Sequence, residues 1–474
     1  MVQCWVHPER IKLLNGRTAV AGDYVLYWMQ QSQRAVFNPA LNFAVERANH
    51  LGKPVVVAFG LMGDYPEAQA RHYRFMLEGL RETAESLRTR GIGFVCRIGP
   101  PPEVARDLGQ RAALIVCDRA YLAPLRRWRQ ALAEQAACAV YEVDADSIVP
   151  VDHASTKAEV AARTLRPKLN RLLTPFLVRE ADAEPTHRHT ASDLPGESLE
   201  NIDALLTRLT MSGQVASVPS FFSGGTRQAR ARLARFSRGT LAGYADRRNQ
   251  PHLDAISQLS AYLQYGQISP VEIAITVRES NTGKDDDRQS FLEELVVRRE
   301  LAHNYVWYTP DYGKYSALPA WARATLDDHR ADQREFTYDI AELETARTHD
   351  EYWNAAMREA ILTGYMHNHM RMYWGKKILE WSATPEDAFA ACLQLNNRYF
   401  LDGLSANSYA NVAWIFGQHD RPWPERAIFG KVRYMNANGL KRKCDMPAYL
   451  AKVHRFGRSA GPHHKSLAKK MRIL

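Results

Sequence analysis

The sequence predicts two unlike halves: an α/β first half built on a parallel sheet, then an all-α second half. Three observations carry this expectation. Short apolar runs alternate with amphipathic stretches through the first 150 or so residues; residues 181–200 (ADAEPTHRHTASDLPGESLE) are polar and turn-rich; and beyond them lie long helical periodicities with few β-branched clusters. Apolar runs without polar alternation are what strands covered on both faces require. No repeat of 20 to 50 residues interrupts the pattern, which excludes solenoids and propellers.

The strands follow in order at 23–29 (DYVLYWM), 54–61 (PVVVAFGL), 92–99 (IGFVCRIG), 113–118 (ALIVCD) and 138–146 (CAVYEVDAD). Helical patterns separate them at 41–49, 70–90, 101–108 and between 118 and 138. No GxGxxG follows any strand, so the Rossmann-like shape does not imply a nicotinamide dinucleotide. Helical patterns resume at 231–248, 253–266 and 291–308 and continue through the tryptophan-bearing segments. The expected organisation is residues 1–180 as the α/β part, 181–215 as a linker, and 216–474 as the helical part.

With 46% apolar residues in 474, the chain is long enough for more than one core. Its formal charge of +10 favours a polyanionic partner, and from residue 431 onward twelve Lys and Arg residues face one acid, Asp445. Cys4, Cys96, Cys117, Cys138, Cys392 and Cys444 are scattered without a CxxC pair, which argues against a disulfide scaffold, a zinc site or an iron-sulfur cluster. The expectation is a reducing compartment, with neither a secretion signal nor a membrane span.

Gly224-Gly225-Thr226, then Tyr244 and Arg248-Asn249 before Pro251, then Ser257, Leu259 and Ser260 read as backbone amides and small hydroxyls gathered for a pyrophosphate. Trp374 and Trp381 lie seven residues apart and so share a helix face, with Trp353 on the preceding helix. Such a stripe is ordinarily core. Glu293-Glu294 precede Arg298-Arg299 on one helix; an adjacent pair of this kind is more often a solvated face plus one ion pair. His367 and His369 have no third ligand near in sequence, so no metal is expected.

The order and spacing of these runs, with GYMHNHMRMYWGKKILEW (364–381), LNNRYFLDG (395–403) and SYANVAWIFGQHDRPWPERAIFGKVRYM (408–435), resemble the class II branch of the DNA photolyases. The resemblance extends from YWMQQSQRAVFNPAL (27–41) to the Lys441-Arg442-Lys443 cluster. It implies the photolyase/cryptochrome fold, with an α/β antenna domain and a helical FAD domain. It also implies repair of cyclobutane pyrimidine dimers by an electron passed from light-excited, reduced FAD to the flipped-out dimer and then returned. Tyr244, Ser257, Leu259 and Ser260 would hold the cofactor phosphates; Arg371 and Asp402 would form an ion pair beside the ring, with Gly403 adjoining; Asn396 would face the flavin N5. Trp353, Trp374 and Trp381 would relay electrons. Trp414 would wall the dimer pocket, with Glu294, or else Glu293, bonding the dimer. Val297 stands where many photolyases outside this class carry a second Trp wall. Arg248, Asn249, Met372, Arg421, Lys431 and Arg433 would contact DNA.

A light-harvesting pigment of the 8-hydroxy-5-deazaflavin type is a frequent second cofactor of the family, although no motif in the first half selects it. The expected partner is UV-damaged DNA, met by a cytoplasmic monomer, nucleoid-associated in a bacterium. Two rivals are a cryptochrome-like blue-light photoreceptor that keeps FAD without repair, and a non-catalytic DNA-binding protein. A photolyase specific for 6-4 products would want a histidine in the dimer pocket.

Overall fold

The computed structural model describes residues 6–211, 213 and 215–459, so Cys4 and the distal basic residues Lys465, Lys469, Lys470 and Arg472 lie outside the described residues. Strands β1 (Ile11–Leu13), β2 (Tyr24–Trp28), β3 (Val55–Leu61), β4 (Gly93–Ile98), β5 (Ala112–Asp118) and β6 (Val140–Val143) form one sheet in the order β1-β6-β5-β2-β3-β4. Helices α1 (Pro39–Leu51), α2 (Ala70–Thr89), α3 (Pro101–Gly109) and α4 (Ala123–Gln135) fill the crossovers. Every residue of β2, β3 and β5 is buried, which is why these strands are continuously apolar.

One strand departs from expectation. β1 pairs antiparallel with β6 (Ile11 opposite Val143), so the sheet is parallel-dominated rather than wholly parallel. At three residues with two exposed, it carries no apolar run to reveal it. The polar stretch expected as a linker is pinned along the α/β half: His189 N–H donates to Gly91 O at 2.9 Å, Glu197 N–H to Cys96 O at 2.7 Å, and Asn42 brackets Ala181 and Ala183. It covers the β4 edge, whose backbone groups would otherwise stand unpaired.

The halves are joined through buried polar groups. Arg71 on α2 is fully buried and gives its guanidinium to four carbonyls of the helical half: Ala216, Ala360, Ile361 and Tyr399. With no carboxylate to offset burial, its pKa falls to about 9. Asp118, at the end of β5, accepts from the Gln30 and Gln31 amides at 2.9 and 3.0 Å and so ties the loop after β2 to its neighbour strand.

Farther along the seam, Arg299 pairs with Asp146 at 2.6 Å, and Glu300 Oε1 accepts from Ile148 N–H at 2.7 Å while Oε2 has no partner. Burial pushes Glu300 up to about 8, against the opposing pull of Arg299. Between its ordinary 4.5 and about 8, the unfolded chain releases this proton while the folded chain retains it, so stability falls as pH rises through that window. Glu300→Gln keeps an oxygen for Ile148 and removes the titration. Chemical denaturation should find the variant more stable than wild type at pH 8, by a margin that shrinks toward pH 5.

Candidate active site

A cavity of about 640 Å³ runs between the C-terminal ends of β2 and β3 and the helical half. Helical-half residues on its wall include Tyr244, Arg248, Asn249, Ser257, Leu259, Ser260, Glu294, Arg371, Met372, Asp402, Trp414 and Arg433. The Ser257–Ser260 turn bends in through Gln258, whose φ of +54° is left-handed. A non-glycine residue there is strained, and Gln258 is held by Arg232, which donates to its Oε1 at 2.6 Å. Burial raises the Tyr244 hydroxyl to about 12, although Arg248 opposes the shift from 5.8 Å above the ring.

Arg371 and Asp402 meet as expected, with Nη2 donating to Oδ2 at 2.9 Å and Nε to the Met366 carbonyl at 2.9 Å. Burial lowers the Arg371 pKa, but Asp402 outweighs it and the net shift is upward. Asp402 Oδ1 is buried without a partner in the protein. The Asn368–Trp381 helix positions Arg371, and His367 caps its start by accepting from His369 N–H at 3.2 Å. Burial lowers His367 to about 3, so it is neutral.

The tryptophans form a line in which Trp353 is the middle member. Its ring is nearly parallel to Trp374 (6.4 Å between centroids, 8°) and edge-on to Trp381 (5.6 Å, 65°). Trp374 meets Phe400 at 6.1 Å, and the Arg371 guanidinium lies 4.3 Å over Phe400, so this end reaches the cavity wall. At the other end Trp381 touches Tyr338 (5.2 Å) and His349 (5.3 Å), and His349 stacks on exposed Phe336. Sequence reasoning missed Phe400, Tyr338 and His349, because they come from separate segments and share no spacing.

Of the two adjacent acids only Glu294 lines the cavity, where it pairs with Arg248 at 2.8 Å. Glu293 is held by Arg166 (2.8 Å) and Arg298 (3.2 Å) and does not line the cavity. Both begin a π-helical stretch, Glu293–Arg298, and as consecutive helical residues they point to different sides. Arg298 in turn lies 5.2 Å over the Trp414 ring, a contact the sequence does not advertise.

Other expected residues stand apart from the wall. Asn396 and Gly403 lie behind it, as do the three tryptophans. A Cβ on Gly403 would approach the Phe400, Asn396 and Asn397 carbonyls to 2.8–3.0 Å, so this glycine serves close backbone packing. Arg421 and Lys431 are exposed on the outer loop, and Trp423 lies under both Arg421 (5.6 Å) and Arg433 (5.2 Å). The pyrophosphate reading of Gly224-Gly225 is overturned. Their amides are taken by Glu78 Oε2 and Gln267 Oε1, both at 2.7 Å, and a Cβ on Gly224 would sit 1.9 Å from the Phe75 carbonyl. The pair lets the Thr226–Arg235 helix approach α2.

Comparison with known proteins agrees with this architecture. The family model for DNA photolyase matches residues 25–188. A deoxyribodipyrimidine photo-lyase of Methanothermobacter thermautotrophicus is 45% identical over 454 residues, covering 94% of this chain and 98% of that protein. Among solved structures, a class III photolyase from Agrobacterium tumefaciens superposes with a TM-score of 0.71 at 21% identity, covering 96% of this chain and 93% of its own. An archaeal photolyase from Sulfolobus tokodaii, solved with two FAD molecules, gives 0.67 at 18% identity, covering 95% and 93%. With near-complete coverage of a relative at that identity, and the same two-part fold, the chain belongs to the DNA photolyase family.

Proposed function

We propose that this protein binds FAD in the helical half and uses blue light to repair cyclobutane pyrimidine dimers in DNA. The observation that carries the reading is the ring line Phe400–Trp374–Trp353–Trp381, which connects the Arg371–Asp402 wall of the cavity to the exposed cluster at Phe336. A plain core stripe has no reason to end at a buried ion pair with an unsatisfied carboxylate oxygen.

The residues present fit a flavin. Asp402 Oδ1 awaits a donor, Arg371 offers a fixed cation beside it, and the Ser257–Ser260 turn brings small hydroxyls and amides to the same cavity. When bound, FAD supplies the light-excited electron donor that opens the cyclobutane ring and takes the electron back. Tyr244, Ser257, Leu259 and Ser260 hold its phosphates, and Asn396 and Gly403 support the ring side from behind the wall. Trp353, Trp374 and Trp381, the class II arrangement, bring reducing electrons inward. Trp414 walls the flipped-out dimer, and Glu294 hydrogen-bonds its carbonyl-rich edge; a dimer already stacks and pairs poorly, so extrusion costs less than for intact bases. Asn249 and Met372 adjoin this pocket.

Arg248, Arg421, Lys431 and Arg433 engage the phosphates. Each charge removed from Arg421, Lys431 or Arg433 should weaken binding to damaged and intact duplex alike and reduce the slope of log affinity against log salt by about 1. Affinities measured by anisotropy at several salt concentrations test this, and unchanged slopes would place the phosphates elsewhere.

At the sheet, Trp28 and Phe59 from the C-terminal strand ends, with Tyr65 from the loop after β3 and Trp128 from α4, line the same cavity beside the β2/β5 position where strand order reverses. Open α/β sheets bind flat ligands there, and we assign this end to an antenna pigment of the deazaflavin type. The protein acts as a cytoplasmic monomer in this reading; no helix among the described residues is long and apolar enough to cross a membrane. Purified protein should be yellow, retain FAD, and clear thymine dimers from irradiated oligonucleotide under blue light but not in darkness. A flavin-loaded preparation that leaves dimers intact would favour the photoreceptor instead.

A further inference from the structure

We propose that Glu67, in the α/β half, is a positioning residue for the redox site: through Asn397 it fixes the orientation of the Asn396 amide. The proposal rests on the reading that Asn396 adjoins the flavin ring. Three contacts make the assignment. Leu404 N–H donates to Asn397 Oδ1 at 3.1 Å, and the amide nitrogen could not accept that bond, so the Asn397 amide has one possible orientation. Its Nδ2 is therefore the atom that donates to Glu67 Oε2 at 2.6 Å. The Asn396 atom 3.2 Å from Asn397 Oδ1 must likewise be its Nδ2, which leaves the Asn396 carbonyl oxygen, unbonded to Asn397, as the acceptor that the flavin reading would use.

Turning the Asn396 amide over would set oxygen against oxygen, inside a region where Asn397 is fully buried. Glu67 itself holds a left-handed φ of +64°. A non-glycine residue keeps such a conformation where its surroundings over-determine it. Neighbouring groups grip the same stretch: Gln69 Nε2 donates to the Glu67 carbonyl at 3.0 Å, and His72 bonds the Phe400 carbonyl at 2.9 Å. Because Gln69 N–H donates to His72 Nδ1 at 2.9 Å, the His72 proton is on Nε2, aimed at Phe400. The loop after β3 and the start of α2 thus orient the segment from Asn396 to Asp402 as a unit.

The test compares wild type, Glu67→Gln, Asn397→Asp and the double variant Glu67→Gln/Asn397→Asp, all reconstituted with FAD. The readouts are FAD content, melting temperature, and the rate of air re-oxidation per bound, chemically reduced flavin. Glu67→Gln retains an oxygen for Asn397 and should stay within about twofold of wild type. Asn397→Asp cannot donate to Glu67; repulsion between the two carboxylates swings the side chain at position 397 away and carries the oxygen that holds Asn396 with it, so re-oxidation should change by about fivefold or more. In the double variant the amide introduced at position 67 donates to the carboxylate introduced at position 397, whose other oxygen serves Asn396 and Leu404, and the wild-type rate should return. A melting temperature that falls while the rate per flavin stays unchanged overturns the proposal, as does a double variant that fails to restore it. Should Asn397→Asp not fold, Glu67→Ala removes the same support with the same expectation and the same refutation. Wild type that takes up no FAD overturns the flavin reading itself and this proposal with it.

Discussion

Replacing Trp353 by Phe should reduce photoreduction of the oxidised enzyme by an external thiol to below about a tenth of the wild-type rate. Enzyme reduced chemically beforehand should still repair dimers. The separation follows from position: Trp353 is the sole contact, among the described ring pairs, between Trp374 on the cavity side and Trp381 on the surface side. Phe retains most of the apolar packing but lacks the readily oxidised indole. The Trp353 Nε1–H bond to the Trp374 carbonyl, 3.0 Å long, is lost as well, at a stability cost of about 1 kcal/mol. Flavin bleaching under blue light reports the first quantity and dimer loss after dithionite treatment the second. Photoreduction at the wild-type rate would sink the relay, and loss of both activities would mean that Trp353 serves only the fold.

Glu294→Ala should lower dimer repair by about tenfold to a hundredfold, the range expected when a buried hydrogen-bonding group is left unmatched. It also deprives Arg248 of the carboxylate at 2.8 Å. Glu294→Gln separates the two effects, since its amide oxygen still accepts from Arg248; it should recover folding and phosphate contact while remaining impaired toward the dimer. Glu293→Ala is the comparison. Its carboxylate does not line the cavity and is held by Arg166 and Arg298, so repair should fall less than about threefold. Equal losses in the two alanine variants would remove Glu294 from the dimer pocket.

Much of the architecture could be read from the chain because burial on both faces writes itself into a strand as an unbroken apolar run, as in residues 55–61. β1 left no such mark, being short and half exposed. Arg371 and Asp402 were found as a pair because two motifs thirty-one positions apart flank them, whereas the middle place of Trp353 depends on how two helices cross. Gly224-Gly225 looked like a phosphate turn, since close backbone approach and anion binding both demand glycine; only the neighbouring α2 distinguishes them. The choice between Glu294 and Glu293 was likewise open in sequence, because a π-helical turn changes which side of a helix a residue occupies. Glu67 and Arg71 were invisible, since their partners are more than 140 positions away.

The guanidinium of Arg71 grips only main-chain oxygens, at Ala216, Ala360, Ile361 and Tyr399. Any amino acid brings such an oxygen, so positions 216, 360 and 361 are free to drift without loosening the grip, while position 71, and Tyr399 whose ring lies 5.9 Å from the guanidinium, are not. Hybrids that join this α/β half to a divergent helical half should therefore assemble, and the reciprocal hybrids should assemble only if the donor supplies an arginine at that place.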